Sequence, residues 1–488
     1  MQSKPAAAST LSDGGGGISA DGGQDAPRHP APFRRIFLLA LAFLYLPFAY
    51  TYGAKMHAFP FVDLPSFYYG AQTAFRHHQS PYSPGALNWG AQALHQRVFP
   101  FLYPPPTLLL FSPLAVLPYK AAKLLVLAAN HLCILGLLLL LLRLLGLDGF
   151  LRSRADSAQQ PGRARTDGGA REALMAVFLT VYLFLFWPVV VTLMTGQINF
   201  YVIVLLCLMW YALKKDASPV LAAIPFALAV ALKTYPILFL PVLIIKGKWR
   251  MAGWTLGFLA LLAAASFAVL PRAVWHDWLV YVLPYGGYTK TPPGLFAPSA
   301  VENQSVNAFA SRLFLDPQTA IRVSPLAAKV TAYSLCAALF GAEVLLSWRL
   351  RNAQKAAKAG QNGARQDGSL DMEFALFLLT MYLIAPLSWE HHLVFVLPAC
   401  FLALARILSF REGVWTTLWA AGAAFLIAWP VPMENAGLES HFFHLLLSLK
   451  FFAVVALWLF FAARLVRLLR ADEGKVARGG QKQQAALG

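Results

Sequence analysis

Five short polar clusters stand out in an otherwise strongly apolar chain. Asp63 lies in F-V-D-L-P-S-F-Y-Y. A carboxylate there can take a proton from a hydroxyl as a general base, or cap the helix that Leu64 and Pro65 begin. Lys233 lies in A-L-K-T-Y-P, among apolar neighbours. An ammonium in such surroundings needs an anionic partner, such as a phosphate, or must snorkel to an interface. Gln197 and Asn199 in T-G-Q-I-N-F, and Asn303 and Ser305 in E-N-Q-S-V-N, supply further polar groups. His391 and His392 follow Glu390 in S-W-E-H-H. Adjacent imidazoles point in different directions on a helix and do not make the i, i+4 pair of metal-binding helices. A substrate-binding or interfacial role fits them better, and no divalent metal or other cofactor is indicated. The N-Q-S sequon at Asn303 has meaning only in a host that glycosylates exported proteins. Tyr68, Tyr69 and Tyr82 are candidates for a sugar site or for an interfacial aromatic belt.

The elements that must position these residues are membrane helices. Of 488 residues, 58% are hydrophobic and 13% are charged, and the mean hydropathy is +0.57. Runs such as Ala173–Met194, Met251–Leu270, Val414–Trp429 and His444–Ala463 approach the ~20 residues that cross a bilayer. Without water to satisfy the backbone, such runs must be helical. The net charge of +18 does not point to nucleic acid, because the basic residues cluster at the ends of apolar runs. Cys133, Cys207, Cys336 and Cys400 all sit inside apolar segments and form no disulfide or metal framework.

Basic loops orient the chain. Arg34–Arg35, Arg152–Arg171, Arg349–Arg365 and the tail from Arg464 belong on the cytoplasmic side, with shorter basic turns at Lys214–Lys215, Lys246–Arg250 and Arg406–Arg411. The expected architecture is an all-α membrane protein of about twelve transmembrane helices. It occupies residues 34–470, with two sizeable outer loops near 55–103 and 271–323. Residues 1–33 and 471–488 read as disordered cytoplasmic tails. Parity makes Thr107–Tyr119 re-entrant or interfacial, since a crossing there would put the Arg152–Arg171 loop outside. With sides fixed by Lys and Arg alone, the polar clusters nearly all fall at the outer ends of helices. No internal repeat is visible, which disfavours transporters built from paired halves.

The ordered set F-V-D-L-P-S-F-Y-Y-G-A, S-P-Y, F-L-Y-P-P-P-T-L-L-L-F-S-P-L-A-V-L-P, T-G-Q-I-N-F, A-L-K-T-Y-P-I-L-F-L-P, N-Q-S and S-W-E-H-H-L-V-F-V-L-P resembles glycosyltransferase family 87 over most of residues 36–410. The chain departs from the usual pattern before S-P-Y, where R-H-H-Q stands. The resemblance implies a multi-helical lipid-donor glycosyltransferase in the cell (inner) membrane, multi-pass, with both termini cytoplasmic. It implies transfer of a sugar, mannose by default, from a polyprenyl-phosphate donor to a glycan or glycolipid hydroxyl on the extracytoplasmic face. Asp63 aligns with that family's catalytic base. Lys233, His391 and His392 would then face the leaving phosphate, with Gln197, Asn199, Asn303 and Tyr68 as further substrate-binding candidates. Two other readings stay open: a ligase that joins whole glycans from a lipid carrier, and a transporter or flippase of lipid-linked sugars. The latter needs charges at membrane depth, for which only Glu343 and Lys450 qualify.

Overall fold

The computed structural model describes residues 31–54, 60–151, 168–315, 325–359, 368–430 and 446–485. The expected N-terminal tail to residue 30, most of the 152–171 loop, part of the 349–365 loop and residues 316–323 of the second outer loop lie outside the described residues. Among those described, the chain is almost wholly helical, with one isolated antiparallel bridge between Asn303 and Trp389.

Helix α1 (Ala31–Ala49) contains Pro47 and widens into a π turn at Tyr50–Ala54. The missing proline N–H removes one intrahelical bond there. The stretch after α1 carries α2 (Leu64–Phe75), α3 (Asn88–Leu94) and α4 (Pro105–Ala115), and α5 (Tyr119–Leu144) follows. Helices α6 (Gly168–Leu185) and α7 (Trp187–Thr195) meet at a 47° bend, where Pro188 lacks the N–H that continuity requires. Next come α8 (Asn199–Lys214), α9 (Pro219–Leu232), α10 (Phe239–Ile245) and α11 (Trp249–Val269). The long connection after α11 holds α12 (Arg272–Asp277) and α13 (Val306–Leu313). The chain closes with α14 (Pro325–Ala359), α15 (Ser369–Ile384), α16 (Leu397–Leu408), α17 (Val414–Ala428) and α18 (Leu449–Ala485).

Among the described residues, six helical stretches are long and apolar enough to cross a membrane, or seven if the bent α6–α7 pair counts as one span. Helices α8, α9 and α17 are apolar but fall among the shorter helices of 10–17 residues, as does the stretch Tyr235–Ile245. At 1.5 Å per residue, the 16 residues of α8 cover about 24 Å, short of a ~30 Å hydrocarbon core.

These short helices nevertheless join two distinct ends of the bundle. At one end, ion pairs tie the basic turns together. Lys214 meets Asp371 at 2.8 Å, Lys246 meets Glu373 at 2.5 Å, and Arg406 and Arg464 share Glu412. At the other end, the C-terminus of α7, the N-terminus of α8 and the C-terminus of α9 converge with the turn before α16. Both ends of α4 stay on that second side. Pro104 lines the cavity described below. The Ala115 and Leu117 carbonyls accept from Gln72 and Tyr68 of α2.

Helix α18 runs on to Ala485.

Candidate functional site

A cavity of about 510 Å³ opens at the non-basic end. Asp63, Gln197, Lys233, His391 and His392 line it together, although they come from four separate stretches of sequence.

Asp63 occupies the N-cap position of α2 without capping it, since its side chain makes no cap hydrogen bond. Its own N–H donates to the Thr195 carbonyl at 2.8 Å, which fixes α2 against the end of α7. The carboxyl is instead bonded by the side chains of Gln197 and Thr195. Burial pushes its pKa up to about 6, against the opposing pull of those hydrogen bonds and of the Lys233 charge. Gln197 is oriented in turn. Its Oε1 accepts from the Tyr103 hydroxyl at 3.1 Å and from the Ile198 N–H at 3.3 Å, and its carbonyl accepts from Asn130.

Lys233 caps the end of α9 and is 4% exposed, so it does not snorkel. The expected anionic partner is not in contact. Its Nζ donates to Asn199 Oδ1 at 2.6 Å and stands 2.7 Å from His392 Nε2; burial pulls its pKa down to about 7, against the opposing charge of the Asp63 carboxylate. The rings of Tyr103, Tyr235 and Phe395 stand 5.5–5.8 Å from the ammonium, a cation–π setting that favours the charged form. An ammonium has three donors; with two engaged, one is left. The Trp389 N–H donates to His392 Nδ1 at 3.3 Å, which fixes the ring with Nε2 facing Lys233.

The remaining candidates separate by function. Asn199 does not line the cavity: it clamps Lys233 through Oδ1 and the His391 carbonyl through Nδ2 at 3.0 Å. Asn303 is fully buried away from the cavity. Its amide oxygen accepts from the N–H groups of Ser305 and Ser388, and its nitrogen donates to Pro298 and Pro386. A sequon asparagine so enclosed is a joint between loops. Ser305 caps α13 through the Ala308 N–H. Tyr68 is pinned between Leu117 and Gln72, Tyr82 donates to the Tyr103 carbonyl, and Tyr69 packs edge-on against Trp89. None of these three tyrosines lines the cavity.

Several wall residues escaped the sequence reading: Ser66, Tyr103, Thr195, Tyr235, Trp278 and Glu302. The aromatic ones have the composition of a membrane-interface belt, and the hydroxyl ones resemble ordinary helix termini. Glu390 also lines the wall and is held by the buried Lys450, so Lys450 is not a lone charge at membrane depth. Among the described residues, no group of three or more His, Cys, Asp or Glu side chains is placed to hold a metal.

A bundle of apolar helices thus brings a carboxylate and a lysine to one end cavity. The family model for glycosyltransferase family 87 matches residues 101–364. The chain belongs to glycosyltransferase family 87 and is a membrane glycosyltransferase. No curated protein matches it significantly.

Proposed function

We propose that the cavity transfers a sugar, mannose by family precedent, from a polyprenyl phosphate to a hydroxyl of a glycan or glycolipid. The observation that carries this reading is the pairing of Asp63 with Lys233 across one cavity. Asp63 is a carboxyl poised near neutrality, and Lys233 is an ammonium with a donor to spare.

In this reading the acceptor oxygen attacks the anomeric carbon while its proton passes to the Asp63 carboxylate. The bond from that carbon to the phosphate oxygen breaks, and its electron pair stays on the phosphate. The anomeric centre inverts. The growing phosphate charge falls to the free Lys233 N–H, and His391 adds a donor beside it. Such preorganised donors act most strongly where water is excluded. Asn199 and His392 hold the ammonium in place, and Gln197 and Thr195 hold the carboxylate. Val191, Val282, Leu283 and Leu387 give the wall apolar surface suited to the isoprenoid.

The working topology keeps about twelve crossings in the inner membrane, the short helices included, with both termini cytoplasmic and the cavity outside. The decisive experiment gives purified protein a panel of synthetic polyprenyl-phosphate sugars and sugar acceptors. Transfer with inversion is expected. Use of nucleotide sugars, with no transfer from any polyprenyl phosphate, overturns the proposal.

A further inference from the structure

Four cavity-lining side chains carry a buried polar atom with no hydrogen-bond partner: the hydroxyls of Ser66 and Tyr235, the indole N–H of Trp278 and Nε2 of His391. Native interiors leave few such groups unpaired. Gathered on one cavity, they point to ligand groups. Tyr235 and His391 lie beside Lys233 and His392, within the phosphate-facing cluster. Ser66 belongs elsewhere. It follows Asp63 by three residues on the first turn of α2, and residues so spaced share a helix face. Its N–H is satisfied by the Asp63 carbonyl at 3.0 Å, so the backbone is fixed while the hydroxyl is unclaimed. The residue is only 4% exposed.

We propose that Ser66 binds the acceptor by ordering a hydroxyl adjacent to the one that Asp63 deprotonates. The acceptor is then a sugar or polyol with a vicinal diol. This inference rests on the reading of Asp63 as the base. A serine hydroxyl both donates and accepts, and it is too weak an acid or base to compete for the transferred proton. The attacking oxygen must keep its lone pair for carbon, so Ser66 serves the neighbouring hydroxyl. Side chains at i and i+3 stand about 5–6 Å apart at Cβ, a spacing that lets them hold two adjacent hydroxyls of one ring.

The test compares the wild type with Ser66→Ala, using synthetic polyprenyl-phosphate mannose as donor. Methyl α-D-mannopyranoside and its monodeoxy analogues serve as acceptors. Acceptor kcat/KM should fall about tenfold, the loss of one hydrogen bond. Donor KM and the pH profile should not move, and Tm should be unchanged or higher because an unpaired hydroxyl has gone. One monodeoxy analogue should be used equally by both forms, since it lacks the hydroxyl that Ser66 reads. Acceptor kcat/KM within twofold of wild type, or a deficit that persists with every analogue, overturns the role of Ser66 alone. Absence of transfer by the wild type overturns the reading of the cavity, and this inference with it.

Discussion

Asp63 and Lys233 each carry a testable consequence of their surroundings. Asp63→Asn keeps the size and most hydrogen bonds of the side chain but cannot accept the acceptor's proton. Turnover should fall ~10²–10⁴-fold with donor binding retained; turnover within a few-fold of wild type discards the base. Because the carboxyl titrates at about 6, kcat/KM of the wild type should rise with pH through that value. The stability effect has the opposite sign. Between the unfolded pKa of about 4 and the folded value, the native state binds more protons than the unfolded one, so stability falls as pH rises. The Asn variant escapes this loss, and its Tm should gain on that of the wild type from pH 4 to pH 7. A constant difference across that range contradicts the raised pKa. At Lys233, alanine removes the free donor and should lower kcat ~10²–10³-fold. Sequence alone favours partial rescue by arginine. The space between Asn199, His392 and three aromatic rings suits a compact ammonium and crowds a planar guanidinium. Lys233→Arg should therefore be nearly as inactive as Lys233→Ala, and assays of both against polyprenyl-phosphate donor will decide.

At the scale of elements, the site depends on how α2 is held to the end of α7. Gly196 ends α7 with φ +70°, a conformation that disfavours side chains. A Cβ there would stand 2.7 Å from the Phe61 ring and 2.9 Å from Leu64 Cβ. Gly196→Ala must push α2 away, and Asp63 with it. The expected outcome is a lower Tm together with a loss of kcat greater than the stability change explains, measured on the extracted, still-folded fraction. Asn303 makes the contrasting case. Asn303→Ala leaves the N–H groups of Ser305 and Ser388 without their acceptor, at about 1–3 kcal/mol each, while its own side chain does not line the cavity. It should lower Tm and leave the KM of the surviving protein unchanged. The two asparagines show why the sequence separated roles poorly. Asn199 and Asn303 look alike as polar residues at outer helix ends, but backbone carbonyls and N–H groups claim every atom of the second. Which partner satisfies a buried amide is decided by contacts distant in sequence. For the same reason Ser66, Thr195 and Tyr235 gave no signal: their importance lies in what they fail to bond, or in bonding Asp63 from another helix.

For the whole molecule, the sequence was most informative where the physics is local. Removing a charge from water is costly at any position, so apolar runs and basic turns marked the helices and sorted their ends. The ion pairs among Lys214, Lys246, Asp371, Glu373, Arg406, Arg464 and Glu412 gather the turns that had been assigned to one side by charge. The cavity lies at the opposite ends of the same helices, where Lys450 pairs with Glu390. Helix count was less legible, because α8, α9 and α10 are shorter than a bilayer core and hydropathy alone cannot tell a short crossing from a buried helix. This arrangement gives a directional prediction. Lys290 is exposed in the second outer loop, and Lys215 is exposed in the turn after α8 at the basic end. In a background with the four native cysteines replaced, Lys290→Cys should react with a membrane-impermeant thiol reagent in intact cells. Lys215→Cys should react only after permeabilisation. Neither lysine touches the cavity, so transfer activity should survive in both and certify the fold that is being labelled. The reverse pattern would place Asp63 and Lys233 on the cytoplasmic face, where a polyprenyl-phosphate donor presented outside could not reach them. Labelling of both positions in intact cells would instead break the rule that basic turns stay inside.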